Sequence, residues 1–181
     1  PIYSLMGTRL NEQQFIQKKN NVIIEDTVTY YYINTIARLL NFNEAFFLPA
    51  TGTSNIPVLT NIMLGWKLDF IILTTDNDES KKIREELKNT FFVKNNENPE
   101  NKMLILKGFG IIEDMFSVID FKKYILHQRV GITESISEYI ETNDLSRTIL
   151  ASEFVSHVLD ENVKFADFDD VTKRNFKNLF N

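Results

Sequence analysis

The residues that could do chemistry in this chain are acids placed at the ends of apolar runs. Asp76-Asn77-Asp78 follows directly on LDFIILTT at 68–75, an apolar run interrupted by Asp69 and closed by two threonines. Such a run, bounded by polar residues, predicts a buried strand in a parallel sheet, and the charged segment Glu79–Leu87 predicts the helix after it. Open α/β sheets place ligand chemistry at the carboxyl ends of their strands. Asp76 and Asp78 therefore stand where a hard cation would be held. A plainer alternative is that the Asp-Asn-Asp turn only starts a helix, since Asp and Asn are good N-caps.

Two further acidic groups fall at comparable places. Glu25 ends the run NNVIIE, and Glu113-Asp114 follows the run MLIL at 103–106. In a parallel sheet these ends share one edge, so acids far apart in sequence converge. Converging carboxylates repel, and burying them unpaired is costly. One or two divalent cations relieve that repulsion, and all-oxygen ligation selects magnesium, manganese or calcium over zinc. The chemistry such sites perform is in-line displacement at phosphate, with the attacking and leaving oxygens stabilised by the ions.

The elements that must hold these acids can be read along the chain. Residues 1–20 show no clear period, and a start on proline suggests an excised or processed chain with a region upstream. After the strand ending at Glu25, Tyr32, Ile33, Ile36, Leu39 and Leu40 recur at helical spacing from Val28 to Leu40. EAFFLP at 44–49 is a second strand. The loop ATGTS then leads into a helix from about Asn55 to Leu64, with Pro57 in its first turn and Gly65 as its C′ residue. That loop has one glycine and lacks the Gly-Lys-Ser/Thr of a P-loop, though a strand-to-helix turn can still present backbone N–H groups to phosphate. Residues 93–102 form a polar, Asn-rich surface loop. From Ser117 onward helices are predicted over about 118–127, 132–141, 145–159 and 168–180. Strands alternating with helices, then a run of helices, predict an α/β fold. It is a small parallel sheet flanked by helices with a helical C-terminal extension from about residue 118.

Composition bounds the function. A chain of 181 residues, 43% hydrophobic and 25% charged, suits one globular domain with a substantial core. The absence of cysteine excludes disulfides, thiolate metal sites and a cysteine nucleophile. No apolar run is long enough to span a bilayer and no secretory signal pattern is present, so no membrane role and a cytoplasmic location are expected. A net charge of −5 argues against indiscriminate nucleic-acid binding, and any DNA groove must be a local basic feature. The histidines, His127 and His157, are too few for a histidine-rich zinc site and read as ordinary helix residues.

Four segments carry a family resemblance. VIIEDTVTYYYI, FLPATGTSNIP, GWKLDFIILTTDNDESKK and IEDMFSVIDFKKYI resemble the Toprim domain, most closely that of OLD-family nucleases and their Gabija-type relatives. There, a Toprim domain follows an ATPase domain. The match runs from about residue 20 to the end. It implies a DNA endonuclease that uses Mg2+ or Mn2+, a role in anti-phage defence, and an ATPase partner upstream or in trans. It also implies a homo-oligomer in the full assembly. Glu25 matches the glutamate that works with metal and as acid/base, Asp76 and Asp78 the metal-binding DxD pair, and Glu113 and Asp114 the later acidic pair. LSRTILASEF resembles the stretch in which a lysine assists catalysis, and Arg147 holds that place. An arginine can stabilise phosphate charge but is a poor proton donor; the plainer alternative puts Arg147 on a solvated helix face.

The chain departs from the family pattern in three places. Asp26 stands where glycine usually follows the glutamate, Thr29 where an acid is usual, and Ser80 where a glycine follows DxD. These departures leave a second reading, a catalytically degenerate Toprim domain that assembles with an ATPase partner. A third, a phosphoacceptor receiver domain, lacks the fifth strand and its lysine.

Overall fold

The structure is a computed structural model that describes residues 16–93 and 98–180; the first part of the lead-in at 1–15 and the middle of the predicted Asn-rich loop lie outside the described residues. The sheet has four strands, β1 (Asn21–Ile24), β2 (Phe46–Pro49), β3 (Phe70–Thr75) and β4 (Met103–Leu106). All pair in parallel in the order β2-β1-β3-β4. Ile24 lies opposite both Pro49 and Leu73, so the strands finish on one edge. The fold is α/β, as the alternating pattern predicts, with a sheet of Rossmann- or Toprim-like kind.

Side chains of successive strand residues go to opposite faces. Val22, Ile24 and Leu73 face one core, and Ile23, Phe70 and Ile72 face the other. That explains why the central runs are continuously apolar: both faces are covered. On the first face packs α1 (Thr27–Leu39), which buries Tyr32, Ile33, Ile36 and Ala37. On the second are α2 (Ile56–Gly65) and α3 (Asp78–Leu87). Gly65 is the last residue of α2, not the residue beyond it, and the left-handed turn after the helix falls to Lys67 at φ 53°.

The C-terminal extension completes the first core. It comprises α4 (Val118–Asp120), which runs on as a π-helical turn over Phe121–Leu126, then α5 (Ile136–Thr142), α6 (Arg147–Asp160) and α7 (Asp170–Phe180). Phe154 of α6 and Phe176 of α7 meet Phe116 at ring-centroid distances of 5.2 and 5.0 Å, and Tyr32 of α1 meets Phe154 at 5.1 Å. The two Phe116 pairs are edge-to-face, and pairs of that kind each add about 1 kcal/mol beyond the area they bury. Within the predicted 93–102 loop, Pro99–Asn101 forms a turn of 3-10 helix. Among the described residues no helix is long and apolar enough to cross a membrane.

Candidate functional site at the carboxyl edge

Strand order reverses between β1 and β3: the chain leaves β1 to form β2 on one side and returns to form β3 on the other. Ligands of open α/β sheets bind in the crevice at such a switch point. Glu25 follows β1 at this place and is 3% exposed. Its Oε2 accepts from the Thr75 N–H at 3.1 Å and the Ser80 hydroxyl at 2.7 Å, and its Oε1 accepts from the Thr75 hydroxyl at 2.7 Å. All three donors are neutral. A carboxylate has about four lone-pair sites, so Oε1 keeps room for a further partner. Ser80 thus has a definite task in holding Glu25.

The turn after β3 is bound tightly to its neighbours. The Asp76 N–H donates to the Phe109 carbonyl at 2.8 Å, and Asp76 Oδ2 accepts from the Gly108 N–H at 3.1 Å. Gly108 holds φ 81°, a backbone region that strongly favours glycine. Asn77 is the N-cap of α3, its side chain accepting from the Ser80 N–H at 2.8 Å. The N-cap role therefore belongs to the middle residue of Asp-Asn-Asp, and Asp78 falls in the first helical turn, where its charge favours the helix dipole. The Asp78 side chain is 90% exposed and pairs with Lys81 at 3.2 Å. The ATGTS loop reaches the same place: the Gly52 N–H donates to the Glu25 carbonyl at 3.0 Å, and the Thr53 hydroxyl bonds the Glu79 carboxylate.

Arg84 is a residue the sequence reading missed. It is 8% exposed, and Nη1 donates to the Thr74 hydroxyl at 2.8 Å and the Thr75 carbonyl at 2.9 Å. Its Nη2 stands 3.8 Å from Asp76 Oδ1. The signal was present in α3, whose buried residues Ser80, Arg84 and Leu87 share one face.

The later acidic pair is divided. Glu113 is fully buried, and Arg147, the first residue of α6, grips it from the side. Nε donates to Oε1 at 3.0 Å and to Oε2 at 3.1 Å, and Nη2 donates to Oε2 at 2.8 Å. Burial pushes the Glu113 pKa up, and the charge and hydrogen bonds of Arg147 pull against that without cancelling it. On Arg147 burial acts to lower the pKa, but the Glu113 carboxylate more than offsets it, and the guanidinium stays charged. Arg147 is not the free cation of a solvated helix face. Asp114 turns elsewhere, accepting from the Ser137 N–H in the first turn of α5 at 2.9 Å.

Near this pair α1 presents two buried hydroxyls without a hydrogen-bond partner among the described residues, Thr29 and Tyr32. Burial, then the charge of Glu113, raises the pKa of Tyr32. Asp26 caps α1, accepting from the Thr29 N–H at 2.6 Å, so its carboxylate is drawn to the helix end.

The acids therefore separate into two groups along the edge. Glu25, Asp76 and Asp78 follow the two strands, β1 and β3, that flank the switch point, while Glu113 is tied to Arg147 and Asp114 to α5. Among the described residues no three His, Asp or Glu side chains form a group that could hold a metal ion. Magnesium, however, keeps several waters and is held through one or two carboxylates plus substrate phosphate. Glu25 Oε1 with a single aspartate of the Asp-Asn-Asp turn is the most this edge offers such a site; Asp76 is engaged by Gly108 and Arg84, Asp78 by Lys81, and Glu113 is filled by Arg147.

Comparison with protein-family models, curated proteins and solved structures finds no match to this chain.

Proposed function

We propose that the chain is a divalent-metal-dependent DNA endonuclease domain of Toprim type, working at the carboxyl edge of its sheet. The observation that carries this reading is Glu25, a buried carboxylate at the strand-order reversal whose hydrogen-bond donors are all neutral. A buried charge without a countercharge is costly, and a bound cation would supply the countercharge. Mg2+ or Mn2+, held by Glu25 and one aspartate of the Asp-Asn-Asp turn together with substrate phosphate, would supply charge stabilisation to the attacking and leaving oxygens of a phosphodiester. The Thr75 and Ser80 donors fix Glu25 so that Oε1 can receive a proton from water. Arg147 has Nη1 unused by Glu113 and can offer it to a phosphate oxygen, with Glu113 holding the guanidinium in place. Following the family resemblance, the domain would act in the cytoplasm as part of an anti-phage system, with an ATPase partner and as a homo-oligomer.

Calorimetric titration with Mg2+ and Mn2+, alongside cleavage assays on duplex and single-stranded DNA, tests the reading. Binding should be weak without DNA and should be lost in Glu25→Gln together with cleavage. Metal-independent cleavage, or cleavage undiminished in Glu25→Gln, would sink it.

The second reading is a catalytically degenerate Toprim domain that serves assembly with the ATPase partner. The closed Glu113–Arg147 pair favours it, because that pair leaves a would-be ligand and a would-be phosphate contact bound to each other. Wild-type protein that cleaves no DNA with either metal, alone or with its partner, would establish this alternative over the first.

A further inference from the structure

We infer that a basic cleft beside the π-helical turn after α4 docks the phosphate backbone of a nucleic acid, away from the carboxyl edge. The cleft encloses about 680 Å³ and is lined by Lys122, Lys123, His127, Gln128 and Arg129, with no Asp or Glu among its lining residues. The chain as a whole has 25 acids against 20 Lys and Arg, so a cleft lined by cations and no acid runs against its composition, although Asp120, Asp167, Glu153 and Glu161 lie near its rim.

The fold dictates where these cations go. Phe121, Tyr124 and Ile125 are buried beneath the turn, which leaves Lys122 and Lys123 to point outward. The helix ends at His127 in the left-handed conformation, φ 55°, and the reversal brings Arg129 back beside the lysines. Lys122 and Arg129 have no carboxylate partner among the described residues. Lys123 is oriented by Tyr124, donating to its hydroxyl at 2.8 Å and lying 4.6 Å from its ring centroid.

The cleft is also set at a definite distance from Arg147. His127 packs against His157 of α6, ring centroids 4.4 Å apart and planes tilted by 53°. Arg147 begins that helix, and the ten residues between Arg147 and His157 rise about 15 Å. Each strand of a duplex advances about 3.4 Å per nucleotide. The cleft would thus meet phosphates roughly four or five nucleotides from one at Arg147. Lys, Arg and Gln are residues that contact phosphate and fix a protein's register on nucleic acid.

The choice of partner rests on the DNA reading of the edge, so the test measures binding with metal chelated, independently of cleavage. The full chain is titrated against short labelled duplex and single-stranded DNA in EDTA, by fluorescence anisotropy, from about 50 to about 200 mM salt. Wild type should bind at least one of them with a steep salt dependence. Lys122→Glu with Arg129→Glu should weaken binding at least tenfold and reduce the salt slope by about two. Lys122→Gln with Arg129→Gln should act in the same direction, and Lys122→Arg with Arg129→Lys should retain binding. Arg129 is exposed and Lys122 half-buried at the cleft wall, and thermal unfolding of each variant, measured alongside, shows whether lost binding reflects lost fold. Asp76→Ala with Asp78→Ala should abolish cleavage and leave this binding intact, which separates failure of the edge from failure of the cleft. The proposal is overturned if wild type binds neither DNA, if the charge-reversed protein binds as wild type does, or if polyglutamate displaces DNA at equal charge concentration.

Discussion

Glu113 and Arg147 lie 34 residues apart and meet in a two-pronged ion pair, with the carboxylate fully buried and the arginine side chain 30% exposed. One comes from the turn after β4 and the other from the start of α6, so the pair fastens the C-terminal extension to the sheet edge. Removing one partner from such a pair strands a buried charge.

Arg147→Met should therefore destabilise the protein by about 3 kcal/mol, whereas Glu113→Gln with Arg147→Met should recover much of that loss. Urea unfolding of wild type, single and double variants gives the comparison. A cost below about 1 kcal/mol for Arg147→Met would mean the pair contributes no more than a surface contact.

Asp76→Ala with Asp78→Ala should abolish metal-dependent cleavage while the fold survives. Asp78 is exposed and its loss should be nearly neutral, whereas Asp76 gives up the Gly108 hydrogen bond, worth about 1 kcal/mol, and its pairing with the buried Arg84, so the melting temperature should fall without loss of the fold. Circular dichroism and thermal melts, run beside plasmid cleavage in Mn2+, check both halves. Full cleavage by the double variant would remove the DxD pair from the site.

Thr29 is 1% exposed with its hydroxyl unpartnered among the described residues. Thr29→Val keeps the shape and removes a buried polar atom, so metal-free stability should rise, by about 1 kcal/mol. Thr29→Glu, which would restore the acid expected from the family pattern, must bury a charge and should instead destabilise the protein unless Mn2+ is present. Denaturation with and without Mn2+ separates the two effects. A Thr29→Glu protein as stable as wild type in EDTA would show that position 29 has access to solvent.

His127 carries the clearest pH dependence. Burial first, then the charge of His157, lowers its pKa below 6.5, with Glu153 and Glu161 acting in the opposite direction. A lowered pKa means the unfolded chain takes up the proton more readily. The contribution to stability is thus present above pH 6.5 and is lost as pH falls through the folded value. His127→Gln should shrink the fall in melting temperature between about pH 7.5 and pH 5.5. An unchanged fall would place the acid sensitivity elsewhere.

The sequence by itself determined the elements and the edge. Apolar runs of strand length, helical spacing after Glu25 and the cap at Asn77 are local patterns that work through nearest neighbours, and they placed Glu25, Asp76 and Asp78 at one end of a parallel sheet. The cap also explains why Asp78 entered the helix instead of the turn. Tertiary structure decided the partners of those acids. Ser80 bonds Glu25 across 55 residues, Arg147 bonds Glu113 across 34, and the His127 ring packs against that of His157. Each of these pairings depends on how a helix docks against the sheet or against another helix. A shift of about one residue in a helix rotates a side chain by roughly 100°, and no local pattern records that choice. Arg84, folded inward beneath Asp76, follows from the same docking of α3.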